Sequence, residues 1–341
     1  MSIRSVALVG VVDGATTTLA SRMALLAGSP AQDGPLTEFV VDGARVALLD
    51  AASADLPAQS AVSAAGCAAF VLSCEVGLDP ASAELWQWCD EREVPRLIVL
   101  TEVGTGRADF DDMVAIAQRA LGDTVVTRFL PLADDDETPA GLFDLVHERI
   151  IDYSTGQRTE REPDAEHIGL TRDARIDLVE AVLAVTDDDS LVASWVEHQA
   201  VDANTLEREL ALAVGRGYLQ PIVPTTSASA TLGVTEAIAL IVSSLPGPES
   251  LPLPAVVGPL GAAVAPLECD PAGPLLAEVL LVSGGRALVR VWSGVLVAEG
   301  TTIEAGRLAW CVVHDAHAGA VITSPDDSLT IIAEPLDDPL D

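Results

Sequence analysis

The sequence predicts an α/β protein in which a mostly parallel sheet with flanking helices carries a helical insertion and is followed by a small all-β barrel. Three observations support this prediction. Strand-like apolar runs alternate with amphipathic helical runs over residues 1–132 and again over residues 219–246. Residues 133–218 are acidic and helix-dominated, and short β runs broken by glycine fill residues 253–334.

The first domain can be followed element by element. A strand over Ser5–Val11 leads through a glycine-containing turn into a helix over Thr17–Ala27. Residues 37–50 read TEFVVDGARVALLD, in which the Asp42-Gly43 pair predicts a two-stranded hairpin. Further strands are predicted at CAAFVLSC, PRLIVL and VVTRFLPL, and further helices at DPASAELWQWCDERE and ADFDDMVAIAQRALG.

The later elements separate the insertion from the two domains. Helices are predicted at RDARIDLVEAVLAV, DDSLVASWVEH and DANTLERELALAVGRG, after which the strand YLQPIVPT and the helix GVTEAIALIVSSL resume the α/β order. The proline-rich run around residues 247–252 predicts a linker. Runs such as LVRVWSGVLVAEGTTI predict barrel strands, and residues 335–341 form an acidic tail.

Charge limits the partners of this chain. It carries 52 acidic and 18 basic residues, a formal net charge of −34, and every basic residue is arginine. Because nucleic-acid affinity comes largely from cationic side chains, direct nucleic-acid binding is disfavoured. A catalytic lysine is excluded. No run approaches the roughly 18 to 20 apolar residues of a membrane span, so we expect a cytoplasmic protein without a membrane partner.

The cysteines and histidines predict no metal site and no nucleophilic triad. The five cysteines are scattered and lie mostly in apolar runs, which indicates reduced core residues. Cys311, His314 and His317 form the only compact cluster of metal-ligating residue types. Strand alternation would put His314 and His317 on opposite faces, whereas a metal requires converging ligands.

Residues 9–18, VGVVDGATTT, occupy the place of a phosphate-binding loop between a strand and a helix. The pattern G-x-x-x-x-G-K-[ST] requires a second glycine and a lysine where this chain has Ala15 and Thr16. Two interpretations stay open: a remnant anion site formed by backbone amides, and a strand-to-helix turn with a threonine cap. The candidate residues of the loop are Gly10, Asp13, Gly14, Thr16, Thr17 and Thr18.

These segments together resemble elongation factor G of the translational GTPases, and the similarity covers nearly the whole chain. It extends from SAELWQWCDEREVPRLIVL and RADFDDMVAIAQRALG through RDARIDLVEAVLAVTDDDSLVASWV to LVRVWSGVLVAEGTTI. The resemblance implies a P-loop-GTPase-type domain with a helical insertion, followed by a β-barrel like the second domain of these factors. It also places the nucleotide motifs of the family on this sequence.

In the first motif, residues 10–18 lie on the family's G-H-V-D-A-G-K-T-T. Gly10, Asp13, Thr17 and Thr18 match, and Thr17 lies where a hydroxyl would bind magnesium. Thr16 replaces the lysine that contacts the β- and γ-phosphates. Loss of that charge-assisted contact, about 1.5 to 3 kcal/mol, is expected to weaken triphosphate binding by about one to two decades.

The switch segments depart from the family as well. AGSPAQDGPL is too short to hold the family's first switch region, which supplies a threonine for magnesium and the γ-phosphate. LLDAASA lies on I-D-T-P-G-H. Asp50 matches the magnesium-side aspartate, but Ser53 replaces the glycine that senses the γ-phosphate and Ala54 replaces the histidine that orients water.

The base-binding motifs are altered in the same way. LTEVGTGRADF lies on N-K-M-D, so Glu102 takes the place of the lysine and Gly104 takes the place of the guanine-selecting aspartate. TSASA retains Ser227 and Ala228 of the last base-contacting loop. Cations that could compensate near the γ-phosphate are confined to Arg22, Arg45 and Arg107.

The resemblance and its losses predict an elongation factor G-like pseudo-GTPase with no catalytic residues and no cofactor. Such a protein would act through protein contacts, with the ribosome or another translation factor as candidate partners. An alternative is a GTP-binding factor with unorthodox contacts, in which GTP or GDP with Mg²⁺ would use Thr17 and Asp50. A third is a decayed paralogue without a role. Because the sequence ends after the barrel, we expect no translocation by the family's later domains.

Overall fold

The computed structural model describes residues 1–10, 14–32, 34–134, 138–258, 264, 266–313, 316–324 and 330–331. Asp13 of the predicted loop, His314 of the candidate metal cluster and the predicted tail at 335–341 lie outside the described residues. None of the described helices is both long and apolar enough to cross a membrane.

The elements are numbered in chain order. The strands are β1 (Ser2–Gly10), β2 (Leu36–Val41), β3 (Ala44–Asp50), β4 (Ala68–Ser73), β5 (Arg96–Thr101), β6 (Val125–Thr127), β7 (Phe129–Ala133), β8 (Pro139–Asp144), β9 (Arg149–Asp152), β10 (Thr159–Arg161), β11 (Gln220–Pro224), β12 (Val256–Val257), β13 (Leu276–Ser283), β14 (Arg286–Ser293), β15 (Val295–Ala298), β16 (Thr301–Glu304), β17 (Leu308–Cys311), β18 (Val321–Thr323) and β19 (Thr330–Ile331). The helices are α1 (Ala15–Leu26), α2 (Ala58–Ala65), α3 (Pro80–Asp90), α4 (Phe110–Leu121), α5 (Ala165–Val185), α6 (Asp189–His198), α7 (Ala203–Gly215) and α8 (Val234–Ser244), with a short 3₁₀ helix over Pro248–Ser250.

A seven-stranded sheet forms the centre of the α/β domain, in the order β2-β3-β1-β4-β5-β11-β6. All neighbouring strands are parallel except β2 and β3, which form the predicted hairpin. Its turn residues, Asp42 and Gly43, have φ of 49° and 76°, as the tight turn of such a hairpin requires. Buried strands of this kind read as continuous apolar runs because helices cover both faces of the sheet. The predicted α/β class is confirmed.

The insertion differs from its prediction as a helix-dominated segment. The strands β7, β8, β9 and β10 form an antiparallel sheet in the order β10-β9-β8-β7, and the described helices of this segment begin only at Ala165. The predicted strand VVTRFLPL is divided at Arg128 between β6 of the central sheet and β7 of the new one. Consecutive apolar pairs, such as Leu142-Phe143 and Ile150-Ile151, are buried on both faces. The segment therefore lacks the alternation that marks a strand in a sequence.

The described residues of the second domain form three antiparallel sheets, namely β17-β14-β13-β18, the hairpin β15-β16 and the pair β12-β19. Residues from β13, β14, β15, β16 and β17 share one apolar core that includes Val279, Val289 and Ile303. The short, glycine-separated strands follow from the sequence, since Gly284, Gly294 and others adopt positive φ at the turns. The predicted all-β class of this domain is confirmed.

A buried ionic cluster holds the insertion sheet against α7. The Arg128 guanidinium donates to Glu207 Oε1 at 2.9 Å and lies 3.5 Å from Asp144 Oδ2. His147 Nδ1 lies 3.1 Å from the same Asp144 oxygen. The hydrogen bond to Asp144 raises the pKa of His147, although partial burial opposes the change.

We expect this cluster to make stability depend on pH above about pH 6. A folded-state pKa above the unfolded value, about 6.5, adds stability that is fully present below the unfolded pKa and is lost as pH rises through the folded pKa. The urea concentration at the unfolding midpoint should therefore decrease as the pH rises from about 6 to about 8. His147→Gln should make this decrease smaller. His198→Gln, on the exposed surface of α6, is the matched control. If His147→Gln left the pH dependence of the midpoint unchanged, His147 would not be its source.

Candidate functional site

The candidate site lies where the carboxyl ends of the parallel strands meet, the usual ligand-binding edge of such sheets. The carboxyl ends of β1, β3, β4, β5 and β11 lie along this edge. They carry the sequence-predicted residues, so the topology brings the altered motifs to one side of the molecule.

The start of α1 is a glycine turn without a side-chain cap. Gly14 adopts φ of 73°, and the Thr18 amide donates to its carbonyl at 2.9 Å. Gly10 ends β1 where a Cβ atom would lie 2.6 Å from the Val71 carbonyl oxygen. Close packing of β1 on β4 therefore requires glycine at position 10, whether or not a phosphate binds nearby.

Asp50 accepts hydrogen bonds from two threonines. Thr16 replaces the family's lysine, and Thr17 matches the family's magnesium ligand. Thr16 Oγ1 donates to Asp50 Oδ1 at 2.9 Å, and Thr17 Oγ1 donates to Asp50 Oδ2 at 2.5 Å. The Ser53 amide adds a longer bond of 3.3 Å to Oδ1. Asp50 and Thr16 are each only 2% exposed. The two hydroxyls and the carboxylate of this Thr16–Thr17–Asp50 cluster are thus hydrogen-bonded to one another.

The hydrogen bonds within this cluster affect how the site could bind a magnesium nucleotide. In the family's pocket, the lysine position supplies positive charge, and the serine or threonine hydroxyl and the aspartate face a magnesium ion. Here both carboxylate oxygens of Asp50 already accept hydrogen bonds from threonine hydroxyls. A magnesium ion that took Thr17 and Asp50 as ligands would have to replace the hydrogen bond between them, and no lysine is present to contact the phosphates.

The three arginines predicted as possible substitutes are engaged elsewhere. Arg22 donates to the Ala230 carbonyl at 3.0 Å and to the Thr231 hydroxyl. Arg45 pairs with Glu38 at 3.5 Å, and Arg107 pairs with Glu75 at 2.8 Å. None of these contacts involves the Thr16–Thr17–Asp50 cluster.

The insertion approaches the base side of the site at Gly104. Gly104, at the position of the guanine-selecting aspartate, has φ of +81°, and a Cβ atom there would lie 2.5 Å from Pro139 Cδ. Glu102 also has positive φ, 63°, and its carboxylate accepts a bond from the Ser73 hydroxyl. Pro139 thus fills the space that a side chain at position 104 would need. The sequence carries no signal for this contact because the two positions are far apart along the chain.

The retained base loop is ordered by its own polar groups. Ser227 Oγ lies 3.1 Å from Ser229 Oγ, and the Thr225 hydroxyl donates to the Ser227 carbonyl at 2.9 Å. Ala228 packs against the main apolar core. Between this loop and the insertion sheet lies an open cleft of about 320 Å³, whose lining includes Tyr153 and Thr226.

Sequence reasoning missed the carboxylate that secures this loop. Glu236 is 3% exposed and accepts bonds from the Tyr153 hydroxyl at 2.9 Å, Arg158 Nε at 3.0 Å and the Gly233 amide at 3.1 Å. Burial, followed by the charge of Glu236, raises the pKa of Tyr153. A glutamate three residues after the residue that caps a helix N-terminus is a capping pattern, which could have revealed the Gly233 contact. The contacts of Glu236 with Tyr153 and Arg158 of the insertion correspond to no local sequence pattern, because these residues are far from Glu236 along the chain.

Metal ligation finds no support among the described residues, where no group of three or more His, Cys, Asp or Glu side chains could hold an ion. Of the predicted cluster, Cys311 is buried, and burial raises the pKa of its thiol. Thr17 and Asp50 remain the pair that would contact magnesium if a nucleotide were bound.

Comparison with known proteins identifies relatives over most of the chain. It is 30% identical over 339 residues to an elongation factor G-like protein of Mycobacterium tuberculosis, covering 90% of this chain and 46% of the relative. Elongation factor G 2 of Geobacter metallireducens is 30% identical over 254 residues, which cover 71% of this chain and 35% of that protein. The chain thus spans less than half the length of these curated relatives.

A solved structure shares the fold. A crystal structure of a protein from Thermus thermophilus superposes with a TM-score of 0.71 at 22% identity, covering 95% of this chain and 54% of that one. No family model matches the sequence.

Proposed function

The chain is a relative of elongation factor G, and on this premise we propose that it is a pseudo-GTPase module that acts through protein contacts. It has lost GTP hydrolysis and most or all of its GTP affinity. The observation that carries the proposal is the direct bonding of Thr16 and Thr17 to Asp50, which uses the magnesium-side groups within the protein.

Two further observations support the loss of nucleotide binding. A lysine is absent from the whole chain, so no lysine ammonium can contact the phosphates. Pro139 occupies the space next to Gly104, where the family's aspartate would select guanine. Each feature removes a different interaction, and their free-energy costs add because they concern separate parts of the ligand.

The partner we propose is a protein of the translation apparatus, either the ribosome or another translation factor, encountered in the cytoplasm. The net charge of −34 opposes direct binding to a nucleic-acid backbone. The same charge favours a basic protein surface, because complementary potentials accelerate encounter.

We expect GTP and GDP, in excess magnesium, to leave the melting temperature unchanged at millimolar concentration. A ligand at 100 times its Kd would add about 2.7 kcal/mol of stability, so even a site of about 10 μM would be visible. Thermal-shift assays should be paired with titration of a fluorescent GTP analogue. Micromolar affinity would reject the proposal in favour of a GTP-binding factor with unorthodox contacts.

A second measurement separates a working module from a decayed paralogue. The tagged chain, expressed at its native level, should retain ribosomes or a translation factor at low salt and release them as salt screens the acidic surface. Retention of neither would favour decay.

A further inference from the structure

Strand β2 forms one edge of the central sheet, and among the described strands it pairs with β3 alone. The Pro35 carbonyl, just before β2, accepts from the Asp50 amide at the end of β3 at 2.8 Å. Because bonding alternates along an antiparallel pair, every second residue from Pro35 onward bonds to β3. The backbone groups of Glu38 and Val40, which lie between those residues, therefore point away from the sheet.

The Gln32 side chain occupies part of this edge. Its Oε1 accepts from the Glu38 amide at 3.0 Å, and its Nε2 donates to the Glu38 carbonyl at 2.5 Å. In an antiparallel sheet, the two residues of a hydrogen-bonded pair exchange the same two bonds through their backbones. The carboxamide of Gln32 thus takes the place that one residue of an added strand would have beside Glu38.

The next residue that points outward, Val40, is accessible. It is 45% exposed, and within the described part of the chain no group bonds to its amide or its carbonyl. Unpaired backbone groups along an edge strand are a template for pairing with another strand. A strand that displaced Gln32 could pair with both Glu38 and Val40, whereas Gln32 pairs with Glu38 alone.

Side chains on both faces hold β2 in its extended conformation. The Glu38 carboxylate lies 3.3 Å from the Arg307 guanidinium and 3.5 Å from that of Arg45. On the opposite face, Phe39 is 3% exposed and belongs to the main apolar core. A strand that is already ordered loses little conformational freedom when a partner pairs with it, so less of the binding energy is spent on ordering.

We propose that the outer edge of β2 at Glu38 and Val40 is a strand-addition site for an extended, basic segment of a partner protein, and that Gln32 covers part of it in the free chain. Main-chain hydrogen bonds would supply the affinity. A second copy of this chain is disfavoured as the occupant, because each copy carries a net charge of −34. The edge is assigned from its geometry alone, whereas the basic character of the segment rests, like the proposed function, on that charge.

The test uses the full chain and a fluorescent heptapeptide of alternating arginine and valine, with binding followed by anisotropy at about 0.15 M salt. A second peptide of the same sequence is N-methylated at every backbone amide, so it keeps the charge but donates no main-chain hydrogen bond. The first peptide should bind at least about tenfold more tightly than the second. Gln32→Ala should bind the first peptide about tenfold more tightly than the parent chain does, because no internal bonds have to be displaced.

Two further variants control for the position of the substitution. Gln87 on α3 is another glutamine with a side-chain bond at the surface, to Glu91 at 3.1 Å, and Gln87→Ala should bind the peptide like the parent chain. Val40→Pro removes one outward N–H, and proline is tolerated on edge strands. Added to Gln32→Ala, it should reduce the affinity for the unmethylated peptide and leave that for the methylated peptide unchanged.

Equal binding of the two peptides would show charge attraction alone and would overturn the inference, as would equal affinity of Gln32→Ala and the parent chain. Dimerisation of Gln32→Ala in sedimentation would assign the edge to a second copy and overturn the choice of partner. Titration of the same samples with fluorescent GTP keeps the two proposals apart. Nucleotide binding would reject the pseudo-GTPase and leave the edge site standing, whereas absence of peptide binding would reject the edge site alone.

Discussion

Replacing Glu236 with alanine is expected to destabilise the protein by about 3 kcal/mol, because it leaves several buried donors without an acceptor. The Tyr153 hydroxyl and the Gly233 amide lose their bonds, and Arg158 loses the more buried of its two carboxylate partners. The base loop and the insertion sheet meet at this carboxylate, so both should loosen. Urea unfolding followed by circular dichroism measures the change, and hydrogen exchange of residues 226–233 locates it.

Arg158 itself provides the matched control. It also pairs with Glu160 at 2.8 Å, and that carboxylate is half exposed, whereas Glu236 is 3% exposed. Glu160→Ala removes an ion pair of the same type at the surface, which is worth at most about 1 kcal/mol. Equal effects of the two substitutions would show that burial of Glu236 does not determine its contribution.

The structural features that could be predicted are those determined by a few neighbouring residues, such as helix caps, turns and buried strands. Asp79 followed by Pro80 marks the start of α3, and the Asp79 carboxylate caps it by accepting from the Ser82 amide at 2.9 Å. The Asp42-Gly43 turn and the continuous apolar runs of the central sheet are equally local. In each case the same few residues determine the conformation and display the pattern.

Contacts between distant segments could not be predicted in this way. The motif positions identified Thr16, Thr17 and Asp50 as neighbours of a lost nucleotide, but not their bonding to one another across more than 30 residues. The contact between Leu251 and Gly66 could not be predicted from proline content, because composition does not indicate what a proline-rich segment packs against. Secondary structure is determined largely by local sequence, whereas the hydrogen bonds of Thr16 and Thr17 to Asp50 depend on the tertiary fold.

Restoring the family's aspartate through Gly104→Asp is expected to destabilise the protein by about 2 to 5 kcal/mol without creating guanine affinity. Positive φ at a non-glycine residue costs about 1 to 2 kcal/mol, and the overlap with Pro139 adds about 1 to 3 kcal/mol. The new carboxylate would have to displace Pro139 before it could face a base. Its neighbours also lack the lysine and the phosphate contacts that hold a nucleotide in place.

Gly156→Asp separates the two costs, because Gly156 has φ of +76° but a Cβ atom added there would have no other atom within 4 Å. It should lose only the conformational part, about 1 to 2 kcal/mol, and Pro139→Ala should recover part of the remainder in the Gly104→Asp background. Chemical denaturation of the four proteins measures both differences. If Gly104→Asp matched Gly156→Asp in stability, Pro139 would not obstruct a side chain at position 104. Guanine-selective binding by Gly104→Asp would mean that the rest of the pocket is intact, since one restored side chain could confer selectivity only on a site that already holds the ribose and phosphates.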